Sequence, residues 1–293
     1  MFFIELGKNG QALGRFNLPD EIPGGSAVYK LHFAGPGGKS GVIFHASKAS
    51  AGRPDEACAV KLLRMQEPTR IDRFDNEIRV LRSLSSPHIV KYHDDGLVAV
   101  QSQADASTQD LRWLAMELGG TNVRQFVEDR GPLGIHSLKA ATTDICTAAS
   151  HLHAKGFVHR DINPDNLVSR RGSQSLLLTG FGMAKRIGED SSTRPMDRFS
   201  QVQEFAGPVS FSSPELIKYA ADKKHPVDHR SDIFQIGKVL WFLATGTVTA
   251  GIPSKKDCPA QGRLRDIVIQ LVDEDPDNRI QRVVMIPRLV NDI

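Results

Sequence analysis

Two patterns of apolar spacing divide the chain. From residue 25 to the middle of the sequence, apolar positions come in short alternating runs. GSAVYKLHFAGPGGKSGVIFHA (25–46) shows two such runs around a glycine-rich turn, a hairpin signal. The polar stretch SKASAGRPDEA follows, and then CAVKLL (58–63), a short β-like run. The spacing changes in TRIDRFDNEIRVLRSLS (69–85), where Ile71, Phe74, Ile78, Leu81 and Leu84 recur with a helical period. Pro87 limits that helix. HIVKYHDDGLVAV and LRWLAMEL predict further strands, separated by the polar QSQADASTQD, and Gly119-Gly120 then breaks the chain. Beyond it the long segments are helical: 136–155, 231–245 and 263–274. Short β-like runs, FVHR, LVSR and LLLTG, lie between the first two. A strand-rich part joined to a helix-rich part by a short glycine hinge is the expected architecture, and ligand sites favour such junctions. Residues 1–24 are an extension to which this pattern assigns no role.

Composition narrows the class. The 293 residues correspond to two domains or one larger bilobal unit. A 40% hydrophobic fraction together with 25 Gly supplies enough apolar material for a core and excludes whole-chain disorder. Lys+Arg exceed Asp+Glu by only 37 − 34 = 3, with no basic blocks, so a nucleic-acid partner is not expected. Cys58, Cys146 and Cys258 are odd in number and widely spaced, neither a disulfide framework nor a zinc pattern. MFFIELGKNG lacks the features of a secretory signal, and no apolar run approaches the ~20 residues of a membrane span. A soluble, cytoplasmic protein is the expectation.

Candidate chemistry centres on His159-Arg160-Asp161-Ile162-Asn163-Pro164-Asp165-Asn166. This string resembles the H-R-D-L-x-x-x-N catalytic loop of protein kinases. It has company in the right order: Ala59-Val60-Lys61, Glu77 in an E-I-x-x-L-x-x-L helix, Gly180-Phe181-Gly182 where the family has D-F-G, Ser213-Pro214-Glu215 in place of A-P-E, Asp232 opening a helix, and Arg279 in DPDNRI. The resemblance implies an α+β, bilobal protein kinase-like fold over residues 25–293, with a β-rich N-lobe (25–118) and an α-helical C-lobe (119–293). It implies ATP as cofactor. Lys61 would contact the α- and β-phosphates and Glu77 would hold Lys61, although taken alone such a pair reads first as a surface ion pair worth about 0–1 kcal/mol, and it is the surrounding motifs that favour the functional reading. Asp161 would orient or deprotonate a substrate hydroxyl. Ile43, Ala59 and Val168 would sandwich the adenine, Met116 would be the gatekeeper, and Glu117 and Gly119 would offer a hinge carbonyl and amide. Ordinary core packing is the competing reading of the apolar members. The glycine-rich loop is incomplete: aligned to end at Ile43, it has Gly38 and Gly41 but Pro36 at its first glycine, and a plain hairpin turn is the alternative. Gly38-Lys39-Ser40 is not a Walker A motif, because Phe33 stands where that motif needs glycine. Arg160 resembles the arginine that meets a phosphorylated activation loop, and Ser191, Ser192, Thr193 and Ser200 are the candidate phosphorylation sites.

Three departures from the family pattern matter. Gly180 replaces the aspartate that holds Mg²⁺ between the β- and γ-phosphates, leaving Asn166 as the metal ligand in its usual place. Asn163 replaces the catalytic-loop lysine of Ser/Thr kinases. Pro208 stands where those kinases carry Gly-Thr. Losing one preorganised electrostatic group costs about 10²–10³ in rate. The leading expectation is therefore a pseudokinase, or a strongly impaired Ser/Thr protein kinase. It would bind ATP without Mg²⁺, or weakly with Mg²⁺ or Mn²⁺, and regulate or scaffold a protein partner. An active Ser/Thr kinase with unusual metal dependence and a scaffold with no nucleotide are the alternatives. Asp165 is a candidate to replace the lost metal ligand.

Overall fold

The computed structural model describes residues 2–9, 11–35, 41–188, 209–249, 251, 254–256 and 262–293. Gly38, Ser191, Ser192, Thr193 and Ser200 lie outside the described residues. The chain divides into two compact units, residues 1–83 with 90–118, and residues 84–89 with 119–293. The first is strand-rich and the second helical, the bilobal protein kinase-like fold class expected from the sequence.

The first unit is an eight-stranded sheet. Its strands are β1 (Phe2–Lys8), β2 (Gln11–Leu18), β3 (Glu21–Pro23), β4 (Val28–Ala34), β5 (Gly41–Ala49), β6 (Glu56–Leu63), β7 (Tyr92–Ser102) and β8 (Thr108–Glu117). They lie in the order β1-β2-β7-β8-β6-β5-β4-β3. Helix α1 (Pro68–Arg82) follows β6. The period of two decides what each face carries. Phe44, Ala46, Cys58, Val60, Leu62, Trp113 and Ala115 enter one core together with Ile4, Leu6, Phe16 and Leu18. The alternate residues share the other face, where Ile43 is paired with Lys61 and Ala59 with Met116. Residues 2–23 are thus strands of this same sheet, and the β1–β2 hairpin contributes to its core. Lys8 pairs with Gln11 across Asn9-Gly10, and Asn9 takes a positive φ of 51°, as tight two-residue hairpins require. Burial of the Cys58 thiol, with the nearby Glu56 charge, pushes its pKa up to about 12, which makes it a packing group and not a nucleophile.

In the second unit a three-stranded sheet is formed by β9 (Gly119–Asn122), β11 (Leu167–Arg170) and β12 (Leu176–Leu178), and a small ladder by β10 (Phe157–Val158) and β13 (Lys185–Arg186). The helices are α2 (Val123–Arg130), α3 (Ile135–Ala154), α4 (Pro214–Ala221), α5 (Arg230–Thr245), α6 (Gly262–Leu271) and α7 (Ile286–Asn291). Helix α5 is buried on every side from Ser231 to Leu243, as a helix that is apolar nearly all round must be. Arg279 ties the unit together: its guanidinium donates to both Glu215 oxygens at 2.7 and 2.9 Å and to the carbonyl of Arg230 at 2.9 Å. No helix among the described residues is long and apolar enough to cross a membrane.

One polar residue inside α5 is unusual. Lys238 is 3% exposed and donates to the carbonyls of Thr249 (3.1 Å) and Gly251 (2.9 Å) and to the Thr249 hydroxyl. These acceptors are neutral, and burial pushes the Lys238 pKa from 10.5 down to about 8. Below that value the ammonium is charged in both folded and unfolded chains, and the fold carries the burial penalty. Between about 8 and 10.5 the unfolded chain holds the extra proton, so stability rises with pH. Urea denaturation of the wild type and Lys238→Met should therefore diverge across that window, the wild type gaining about 3 kcal/mol relative to the variant. A pH-independent difference contradicts this.

Candidate functional site

The catalytic-loop string of the second unit is held from below by α5. Asp232 is wholly buried, and its carboxylate accepts from the backbone N–H of His159 and of Arg160 and from His153 Nε2, each at 2.8 Å. Burial alone would raise its pKa; the hydrogen bond and charge of His153, with the His159 backbone, hold it below the usual carboxylate value. One turn on, Gln235 accepts from Ile162 N–H (2.9 Å) and donates to the Arg160 carbonyl (3.2 Å). These bonds keep Arg160 in the left-handed region, φ 67°, which costs an ordinary residue about 1–2 kcal/mol. His159 closes the far side. Its Nδ1 accepts from Asp161 N–H at 3.2 Å, so Nε2 carries the proton and donates to the Thr179 carbonyl at 3.1 Å.

Asp161 stands between two amides. Asn163 Nδ2 donates to Oδ1 and Asn166 Nδ2 to Oδ2, both at 2.8 Å, and both amides also donate to the Asp161 carbonyl. Asn163 is 2% exposed, and its Oδ1 accepts from Asp165 N–H at 2.9 Å. It is a neutral clamp on the loop, with no charge to offer a transferring phosphate. Asn166, whose Nδ2 faces Asp161, turns its Oδ1 toward Gly180. Gly180 is left-handed (φ 78°, ψ 45°), and a Cβ built there would lie 2.5 Å from Asn166 Cγ and closer still to Oδ1. Asp165 is paired with Arg124 Nε at 2.7 Å. Among the described residues, no group of three or more His, Cys, Asp or Glu side chains is arranged to hold a metal ion.

Within the first unit, Lys61 Nζ donates to Glu77 Oε2 at 2.6 Å, and the Glu77 side chain is only 6% exposed, so this is not a loose surface pair. Ile43, Ala59 and Met116 share the Lys61 face through the strand register. Gly41 is required where it stands, because a Cβ would meet the Leu62 carbonyl oxygen at 2.7 Å. The Glu117 amide is used by the Lys91 carbonyl at 2.8 Å; the expectation for Glu117 concerns its carbonyl. In the second unit, Gly119 lies against Val168, whose Cγ2 would be 2.6 Å from a Cβ at 119.

Sequence reasoning missed several partners. Arg160 sits 4.3 Å above the ring of Tyr219, which Lys223 (4.6 Å) and Lys185 (5.4 Å) also approach. His153, Gln235 and Arg124 were missed as well. The i, i+3 spacing of Asp232 and Gln235, which puts both on one helix face, was the available signal for the loop anchor.

The family model described as "Protein kinase domain" matches residues 34–282. The chain belongs to the protein kinase family. It is similar to the serine/threonine-protein kinase PknB of Mycobacterium leprae, 28% identical over 76% of this chain and 32% of the relative. It also resembles PkaA of Streptomyces coelicolor (29% identical; 69% of this chain, 34% of the relative) and a probable serine/threonine-protein kinase of Clostridium perfringens (26% identical; 88% and 37%). The chain thus spans about a third of the length of these relatives.

The family implies ATP, typically with Mg²⁺. The donor set here does not fit a kinase metal site. Mg²⁺ takes hard oxygen ligands in near-octahedral geometry, usually with one or two carboxylates. Gly180 supplies no side-chain oxygen, Asn166 supplies one neutral oxygen, and Asp165 is engaged by Arg124. The anchoring of the loop is testable apart from any reaction. Asp232→Ala strands three donors in a buried site and should lower the unfolding free energy by about 3–5 kcal/mol in urea. A loss under about 1 kcal/mol would show that the loop is held elsewhere.

Proposed function

We propose that this chain is a nucleotide-binding pseudokinase or strongly impaired Ser/Thr protein kinase, acting in the cytoplasm on a protein partner by regulation or scaffolding. The observation that carries this reading is the pairing of a neutral metal position, Gly180 packed against the Asn166 amide, with an intact Lys61–Glu77 ion pair. The pair supports retained contact with the α- and β-phosphates. Ile43, Ala59 and Val168 then enclose the adenine, with Met116 as gatekeeper and the Glu117 carbonyl and Gly119 amide as hinge contacts. The neutral positions 163 and 180 support a slow chemical step, since phosphoryl transfer depends on positioned charge. PknB and PkaA are named as serine/threonine-protein kinases, which favours Ser/Thr-type recognition of a protein. Phosphate on Ser191, Ser192, Thr193 or Ser200 would be met by Arg160, with Lys185 and Lys223 gathered at the same Tyr219 ring.

A second reading, an active kinase with unusual metal dependence, draws on one observation. Asp161 is fully oriented by the two Asn amides and is ready to align a hydroxyl. Radiolabelled phosphate transfer to a generic protein substrate separates the two. The pseudokinase reading expects turnover at least about 10²-fold below the ordinary 1–100 s⁻¹ range, with Mg²⁺ or Mn²⁺. Gly180→Asp combined with Asn163→Lys should raise it, Asn166 rotating away to admit the new side chain. Wild-type turnover within the ordinary range would establish the second reading instead.

A further inference from the structure

The β1–β2 hairpin grips the four residues that connect the two members of the Lys61–Glu77 pair. Strand β6, which carries Lys61, ends at Leu63, and α1, which carries Glu77, begins at Pro68. The link Arg64–Glu67 therefore fixes where the helix starts relative to the strand. Helix α1 does little to fix its own start: Glu67, at its N-cap, makes no side-chain bond to the first-turn amides, and the first turn contains no acidic residue. The hairpin instead bonds the link that leads into the helix. Gly7 N–H donates to the Arg64 carbonyl at 3.3 Å, and the Gly7 carbonyl accepts from Gln66 N–H at 2.8 Å, a parallel bridge centred on Met65. Asn9 N–H, in the hairpin turn, donates to Glu67 Oε1 at 2.8 Å.

The hairpin is itself fixed, because Ile4, Leu6, Phe16 and Leu18 are locked into the sheet core. Gly7 sits at a break in the β1–β2 register, and a Cβ there would meet Met65 Sδ at 3.1 Å and the Gln11 carbonyl oxygen at 3.3 Å. Glycine is what allows the backbone to come this close. Farther along, Asp75 of α1 accepts from Arg112 Nε of β8 at 2.7 Å, so the helix is held at its start by the hairpin and in its middle by the sheet.

We propose that the β1–β2 hairpin is a built-in brace for α1, and that Gly7 and Glu67 are positioning residues for the Lys61–Glu77 pair. The inference rests on the nucleotide-binding reading for its functional consequence and on the first unit alone for its mechanics. Loosening the brace lets the start of α1 shift, so that Glu77 holds Lys61 for less of the time and the phosphates are bound more weakly.

Glu67→Ala is the informative variant, because Glu67 makes no side-chain cap bond to α1 and its removal acts through Asn9. Hydrogen–deuterium exchange on the full chain should show residues 64–74 exchanging about three- to tenfold faster, with β1, β2 and α3 unchanged. ATP affinity, by titration calorimetry, should fall by about the same factor. Gly7→Val should produce a larger change of the same pattern, and Met65→Ala in that background, which removes the side-chain atoms the new residue meets while the Gln11 carbonyl stays, should restore part of it. Wild-type exchange at 64–74 in Glu67→Ala, or faster exchange there with undiminished ATP affinity, overturns the positioning role. A wild-type chain that binds no ATP overturns the nucleotide reading, while the exchange experiment still decides whether the hairpin braces the helix.

Discussion

The buried carboxylate of Asp232 is the constraint on which the site of the second unit depends. It is a charge placed inside a helix that is otherwise apolar on nearly every side, and it is tolerable only because three donors converge on it. Two of these are consecutive backbone amides, of His159 and Arg160. Their satisfaction forces the chain into a left-handed turn at Arg160 and sends Asp161 outward between Asn163 and Asn166. Gln235 fixes the next residue in the same way, and His159 passes the constraint on to Thr179, immediately before Gly180. The geometry of residues 159–166 and the entry into 180–182 thus follow from one helix face.

On this scaffold the pseudokinase proposal rests on two neutral positions, 163 and 180. The loop position that carries a lysine in Ser/Thr kinases holds Asn163, which spends both its amide and its carbonyl on the loop itself. Gly180 offers no side-chain oxygen, and the Asn166 oxygen turned toward it is neutral. Asp165 is paired with Arg124 at 2.7 Å. The opposite holds at Lys61, where a short, largely buried ion pair with Glu77 survives. On the proposed reading, charge is absent from positions 163 and 180, which would assist transfer, and present at Lys61, which would hold a nucleotide. The hairpin bonds to residues 64–67 place added structure behind that retained pair.

Much of this was legible in the sequence. The change from period two to period 3.6 marked the two units, and the strings around Lys61, Asp161 and Gly180 marked the family, because each is short and local. What escaped were features defined by contact. The β1–β2 hairpin had a signal, Asn9-Gly10 between the alternating Ile4, Leu6 and Phe16, Leu18, but a plain extension and an added strand pair look alike until the core they bury is known. Asp165 as a substitute metal ligand looked reasonable from its place in the loop; only Arg124, 41 residues away, shows how it is engaged. Lys238 reads as a surface lysine in a helical stretch, and its burial is decided by the loop that folds over it. The Arg160–Tyr219 contact joins residues far apart in sequence, which no local pattern encodes.

The proposed function joins nucleotide binding at Lys61 to a metal position that is neutral at Gly180. Titration calorimetry of ATP into the full chain, once in excess Mg²⁺ and once in EDTA, tests it most directly. Affinities in the two conditions that agree within about threefold, less than 1 kcal/mol, are what the proposed function predicts. Binding that tightens more than about tenfold with Mg²⁺, or that disappears in EDTA, would contradict it.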